Sequence, residues 1–128
     1  MSHFTQIKTR IRNLDSLEKA LVDLQIAAER GNVSVRGYRG ETRPAQLVIR
    51  QDNGHDVGFV WNGQEYEIVT DVQFWQQPWT VERFLGKVSQ RYALHTVLAE
   101  SVPQGFNLVT QENREDGTMR LVLQRWSA

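Results

Sequence analysis

Val57-Gly58-Phe59-Val60-Trp61-Asn62-Gly63-Gln64-Glu65-Tyr66-Glu67-Ile68-Val69 sets large apolar residues at alternate positions on both sides of an Asn-Gly pair. A period of two marks a strand with one buried face, and Asn-Gly is the strongest short-range signal for a tight hairpin. The stretch therefore predicts two antiparallel strands turning at Asn62-Gly63. In that register Val57, Phe59 and Trp61 share a face with Ile68, Tyr66 and Gln64, an aromatic-rich surface suited to a core.

Upstream, Asp52-Asn53-Gly54 breaks the pattern, and Ala45 to Gln51, centred on Leu47-Val48-Ile49, reads as another strand. Gly37 to Pro44 is a loop punctuated by two glycines and a proline, following a strand that starts at Val33 and Val35. Leu17, Leu21, Leu24 and Ala28 recur at helical spacing. Asp15 and Glu18 form a capping box that starts this helix near Ser16, and Gly31 offers a left-handed stop. The chain opens on a strand whose His3, Thr5, Ile7, Thr9 and Ile11 face a core, while Phe4, Gln6, Lys8, Arg10 and Arg12 face water.

Downstream, Phe74-Trp75-Gln76-Gln77-Pro78-Trp79 interrupts the strands, and Thr80 caps a second helix. Val81, Leu85, Val88, Tyr92, His95 and Ala99 run along one side of it, and Pro103 and Gly105 end it. A last hairpin, Phe106 to Glu112 with Thr118 to Trp126, turns near Asp116-Gly117 and sets Leu108 and Thr110 beside Leu121 and Leu123. The order β-α-β-β-β-β-α-β-β, joined by hairpin-length connections, predicts an α+β domain. Its mostly antiparallel sheet has about six to seven strands, with two helices packed on one face. The order contains two β-α-β-β units, a possible duplication. A strongly curved sheet gripping the second helix fits the same pattern.

A chain of 128 residues with 40% hydrophobic content is the size of one domain, spanning residues 1–128, and buries a core without disulfides. Fifteen basic residues balance fifteen acidic ones, so no global field draws it to nucleic acid or anionic membranes. With no cysteine there are no thiolate nucleophiles, iron–sulfur ligands or zinc ribbons. The start is polar, without the apolar segment that membrane insertion or secretion requires. No phosphate-cradling motif precedes a helix, and no cofactor is implied. The serines, such as Ser34, Ser89 and Ser101, occupy no nucleophile-elbow pattern, so catalysis is the lesser reading.

Three constellations can carry function. Phe74, Trp75 and Trp79 sit where a strand gives way to a helix, and tryptophan supplies large apolar area with few rotors, so a protein partner can dock there. The bland alternative is a hydrophobic lid over the end of the sheet. His3, Tyr92 and His95 all point inward in this reading, which suits a small ligand or metal between sheet and helix. No His-x-x-x-His spacing accompanies them, and hydrogen-bonded histidines near the core edge are the ordinary alternative. In Arg36-Gly37-Tyr38-Arg39-Gly40-Glu41-Thr42-Arg43 arginines alternate with glycine and an aromatic, so Arg36, Tyr38, Arg39 and Arg43 are candidates for single-stranded RNA, against a solvated loop.

The opening Met1-Ser2-His3-Phe4-Thr5-Gln6-Ile7-Lys8-Thr9-Arg10-Ile11, followed by Leu14-Asp15-Ser16-Leu17 and the leucine-rich helix, resembles the start of a small family shared by cyanobacteria and some algal plastids. This is the conserved chloroplast reading frame thirty-five family, and the resemblance covers essentially the whole chain. It implies a soluble protein of the cytoplasm, or of the plastid stroma in algal relatives, in organisms with oxygenic photosynthesis. It brings no catalytic residues, because the family has no assigned activity. The expectation is a non-enzymatic interaction module that helps assemble, maintain or regulate the photosynthetic machinery, with a protein partner, a possible homo-oligomer and no membrane insertion. Nucleic acid is the least favoured partner.

Overall fold

The computed structural model describes residues 3–101, 106–113 and 119–125. Strands β1 (Thr5–Ile11), β2 (Glu29–Arg36), β3 (Thr42–Ile49), β4 (Val57–Trp61) and β5 (Tyr66–Thr70) form one antiparallel five-stranded sheet in the order β1-β5-β4-β3-β2. Helices α1 (Leu14–Asp23) and α2 (Val81–Ser101) pack together, and α2 also touches β1. Strands β6 (Phe106–Asn113) and β7 (Met119–Arg125) pair with each other in a separate two-stranded sheet. The α+β class holds, but the single sheet of six to seven strands does not. At 1.5 Å per residue α2 is about 30 Å long, and it delivers the last hairpin against its own flank rather than to a sheet edge. The suggested duplication accordingly stops short of the sheet order. Pro103, Gly105, Asp116-Gly117 and Trp126 lie outside the described residues.

The central hairpin keeps its predicted faces and shifts its register by two residues. Phe59 pairs with Ile68 and Trp61 with Tyr66, because the loop holds four residues and not two. Asn62 Oδ1 accepts from the N–H groups of Gln64 and Glu65, both at 2.8 Å, while Gly63 takes a left-handed φ of 99°. The amide of Asn62 thus builds a wider turn than an Asn-Gly pair alone dictates.

The caps of α1 also differ from expectation. Asn13, not Asp15, is the N-cap, accepting from Ser16 N–H at 3.0 Å, and Asp15 pairs with Arg30 at 2.7 Å. The helix stops at Asp23, where Gln25 adopts a left-handed φ of 60° and Ile26 N–H reaches back to Leu21 C=O at 2.9 Å. That is a Schellman stop made without glycine. Gly31 lies instead within β2, where the register with β3 shifts. Thr80 does cap α2, its hydroxyl accepting from Arg83 N–H at 3.2 Å. The buried face of α2 centres on Phe84, Val88 and Leu94, and Ala99 is exposed.

Both helices cover one face of the sheet. Leu17, Ala20 and Leu21 from α1 and Phe84 and Val88 from α2 bury Ile11, Leu47, Ile49, Val57, Phe59, Tyr66 and Ile68. The opposite face is not a plain water face, since Val35, Ala45, Val48 and Val69 are buried there with Phe4, Val33 and Val60 against them. Two glycines explain how this face closes. A Cβ on Gly58 of β4 would lie 2.9 Å from Cβ of Val35, so β2 curls over β4. A Cβ on Gly37 would lie 2.5 Å from the Phe4 ring, so the two edges of the sheet approach each other there. The sheet is curved, but around its own valines rather than around α2, and Phe4 turns inward to fill the gap.

Candidate interaction site

The aromatic segment follows β5 and is fixed by polar groups beneath it. Asp71 Oδ1 accepts from Gln73 N–H at 3.1 Å and starts a short 3-10 turn, Val72–Phe74. Gln51 is buried at the end of β3, and its side chain serves the segment at both ends. Its Nε2 donates to the carbonyls of His55 and Phe74, and its Oε1 accepts from Gln76 N–H at 2.9 Å and Gln77 Nε2 at 3.0 Å. Asn53 Nδ2 adds a second donor to the Phe74 carbonyl at 2.9 Å.

The rings divide into anchor and surface. Trp75 leans edge-on against the fully buried Phe84, with centroids 5.1 Å apart, and its indole N–H donates to Trp79 C=O at 2.7 Å. Phe74 stacks on His55 at 3.9 Å, and Lys87 Nζ sits 5.3 Å from the centre of the Trp79 ring. Phe74, Trp75 and Trp79 are all half-buried, and the neighbouring Val72 is 48% exposed. The segment is thus at once a lid, through Trp75, and a ridge, through Phe74 and Trp79. Beneath it, His55 Nδ1 and Asp71 Oδ2 are buried with no hydrogen-bond partner among the described residues. Native folds rarely carry such atoms without a local reason, since each costs roughly 1–3 kcal/mol.

The other candidate groups are placed apart. Tyr92 Oη accepts from the N–H groups of Arg12 and Asn13, both at 3.1 Å, at the start of α1. His95 Nε2 lies 2.6 Å from Asp23 Oδ2 at the other end of α1, and Arg91 joins the same carboxylate at 2.8 Å. Burial works to raise the Asp23 pKa, but hydrogen bonds from His95 and Arg91 outweigh it and hold the group below its ordinary value. His3 is exposed before β1, nine residues from Arg12. At about 3.3 Å per strand residue that is some 25 to 30 Å from the Tyr92 hydroxyl, so His3, Tyr92 and His95 do not converge. In the loop, Arg39 lies 5.2 Å from the centre of the Tyr38 ring and Arg43 5.3 Å from that of Phe4.

Arg36 is bound to a residue that sequence reasoning passed over. Asp56 is fully buried and accepts five hydrogen bonds: from Arg36 N, Nε and Nη2, Arg50 Nη1 and Gln51 N, at 2.7 to 3.2 Å. Burial pushes its pKa up, yet the two guanidiniums and the backbone donors prevail and hold it at about 2. Arg50 also binds Glu29 at 2.8 Å and the Ser34 carbonyl at 2.7 Å. The cluster pins the ends of β2, β3 and β4 together beside Gln51. Its sequence signal, an acid between a turn and a buried strand, is too common to single out.

Residues 20–122 match a family described as protein of unknown function, DUF1257. The chain belongs to this family. It is 48% identical to the uncharacterized protein ycf35 of Guillardia theta over 98% of both chains, and 39% identical to that of Pyropia yezoensis over 99% of both. The protein of the same description from Cyanophora paradoxa is 40% identical over 98% of both chains. The family resemblance read from the N-terminal strand therefore holds along nearly the whole chain. The family match includes the aromatic segment and the Asp56 cluster. No solved structure matches the chain. Among the described residues no helix is long and apolar enough to cross a membrane.

Proposed function

We propose that this protein is a non-enzymatic interaction module that docks a protein partner on the Phe74 to Trp79 ridge. The observation that carries this reading is the buried Gln51 amide, whose four hydrogen bonds fix an irregular, aromatic segment at the surface. A loop already held in one conformation loses little entropy on binding, so its half-exposed rings act as rigid anchors. The algal relatives make a protein of the photosynthetic machinery the natural partner, and the cytoplasm or plastid stroma the natural compartment. The reading assigns Phe74 and Trp79 to the partner and Trp75 to the fold.

The test uses Phe74→Ala and Trp79→Ala, singly and together, in affinity capture from a photosynthetic lysate, with thermal unfolding measured in parallel. The expected result is loss of a stoichiometric partner with both variants still folded, whereas Trp75→Ala lowers stability as well. Retention of every partner by the folded double variant would overturn the reading and leave the segment as a lid.

A further inference from the structure

β1 contains a bulge that presents a cation. Its pairing with β5 passes from Lys8 opposite Glu67 to Ile11 opposite Tyr66, skipping Thr9 and Arg10. Arg10 there has a φ of 64°, a left-handed conformation that glycine adopts freely and arginine does not. The buried Thr9 holds this geometry, its hydroxyl donating to Tyr66 C=O and accepting from Ile11 N–H at 3.0 Å. Two other non-glycine residues have positive φ, and each has a local account. Gln25 ends α1, and the Arg39 guanidinium rests over Tyr38. Arg10 is exposed, and no partner for its guanidinium occurs among the described residues; the same is true of the side chains of Lys8 and Arg12.

Beside this bulge stands an exposed indole. Ile11, Tyr66 and Trp61 form one row across β1, β5 and β4, which places Trp61 two strand spacings, about 10 Å, from Ile11. Trp61 is 41% exposed, leans on Tyr66 with centroids 4.9 Å apart, and has its backbone N–H held by Gln46 Oε1 at 2.7 Å. We propose that Lys8, Arg10, Arg12 and Trp61 form a docking surface for an extended acidic segment of a protein partner.

Three features select that occupant. Alternate residues of an extended chain repeat at about 7 Å, so acidic side chains on such a segment match the spacing of Lys8, Arg10 and Arg12. β1 is an edge strand, whose backbone can pair with a peptide and not with a nucleic acid. Trp61 is a single ring already leaning on Tyr66, not the series of stacking platforms that single-stranded nucleic acid uses. Cations and a bulge on an edge strand also deter unwanted sheet pairing. Protection, however, gives no reason for arginine at position 10, where glycine would form the bulge without strain. The surface lies at the start of β5, and the Phe74 to Trp79 ridge follows its end, so the two inferences stand independently.

The test is fluorescence anisotropy with a labelled peptide alternating glutamate and valine, competed by single-stranded oligouridylate. Binding that weakens with salt is expected, with a loss of about tenfold in Arg10→Gly and in Trp61→Ala, each a change of about 1.4 kcal/mol. Arg10→Gly should unfold no earlier than the parent, so its loss of binding cannot come from misfolding. Arg39→Ala, an equal change of charge elsewhere, should bind normally. The proposal falls if the parent does not bind at low salt, if Arg10→Gly binds unchanged, if Arg39→Ala weakens binding equally, or if the oligonucleotide binds more tightly than the peptide.

Discussion

Replacing Asp56 by asparagine removes the charge that joins three strands while barely changing the volume of the side chain. The native carboxylate accepts five hydrogen bonds, and its pKa falls from 3.8 to about 2 despite complete burial. A difference of nearly two units is worth roughly 2 kcal/mol of stability. The folded-state pKa is depressed, so this contribution is fully present above the unfolded carboxylate value and is lost as pH falls through about 2. The Asp56→Asn variant would retain the shape and lose more than that amount, because the new NH2 group faces guanidinium donors and leaves two arginines without a counter-charge. Breaking a buried pair costs about 3–5 kcal/mol, and Arg36, whose side chain is 48% exposed and can rehydrate, brings the figure to the lower end. At about 4 °C per kcal/mol for a domain of this size, Asp56→Asn should lower Tm by about 10 °C at neutral pH. Its denaturant-derived stability should also be flatter than the parent's between roughly pH 4 and pH 2. A Tm within a degree or two of the parent, with superimposable acid limbs, would refute the view that Asp56 holds the strand ends.

Gly58→Ala should cost about 1–3 kcal/mol by overpacking, since the new methyl meets the fully buried Val35; calorimetry would show it as a lower Tm with the fold retained. Gly86→Ala, in α2 with open space around it, should instead stabilise by about 0.5–1 kcal/mol through helix propensity, so the two glycines should move Tm in opposite directions. Gln51→Ala should accelerate amide exchange in residues 74–77 far more than in β3 or β4, since the lost bonds are local to the aromatic segment. Asp23→Asn should remove a stabilisation that the parent holds above the ordinary carboxylate pKa and loses on acidification through its lowered folded value. The pair is partly exposed, so urea titrations should find less than about 1 kcal/mol.

Periodicity made most of the fold legible. Alternation around Asn62-Gly63 located β4 and β5, and the leucine spacing located α1, because both signals depend only on which face of one element meets the core. Register was less legible, as the Asn62 amide chose a four-residue turn through bonds that no pattern of hydrophobicity records. The second buried face was invisible for a related reason. Phe4 reads as a solvent residue on its own strand, and becomes a core residue only because Gly37 leaves room for its ring across the curl of the sheet. The candidate site followed the same division. Phe74, Trp75 and Trp79 are conspicuous by composition, whereas Gln51 and Asp56 act through partners in other strands and gain their roles only when those strands are in place.

The two proposed surfaces differ in how the fold supports them, and that difference is itself testable. The Phe74 to Trp79 ridge depends on Gln51, which lies beside the Asp56 cluster and shares it through the Gln51 N–H. The Arg10 bulge depends on Thr9 and Tyr66 at the opposite end of β5, with no bond to that cluster among the described residues. Sites separated by the length of β5, about 13 Å, and sharing no partners should respond additively to mutation. Gln51→Ala should therefore weaken partner capture by the ridge while leaving peptide anisotropy at Arg10 intact, and Arg10→Gly should do the reverse. Cross-sensitivity beyond about 0.5 kcal/mol would mean that the curved sheet couples its two ends, and the surfaces would then have to be treated as one.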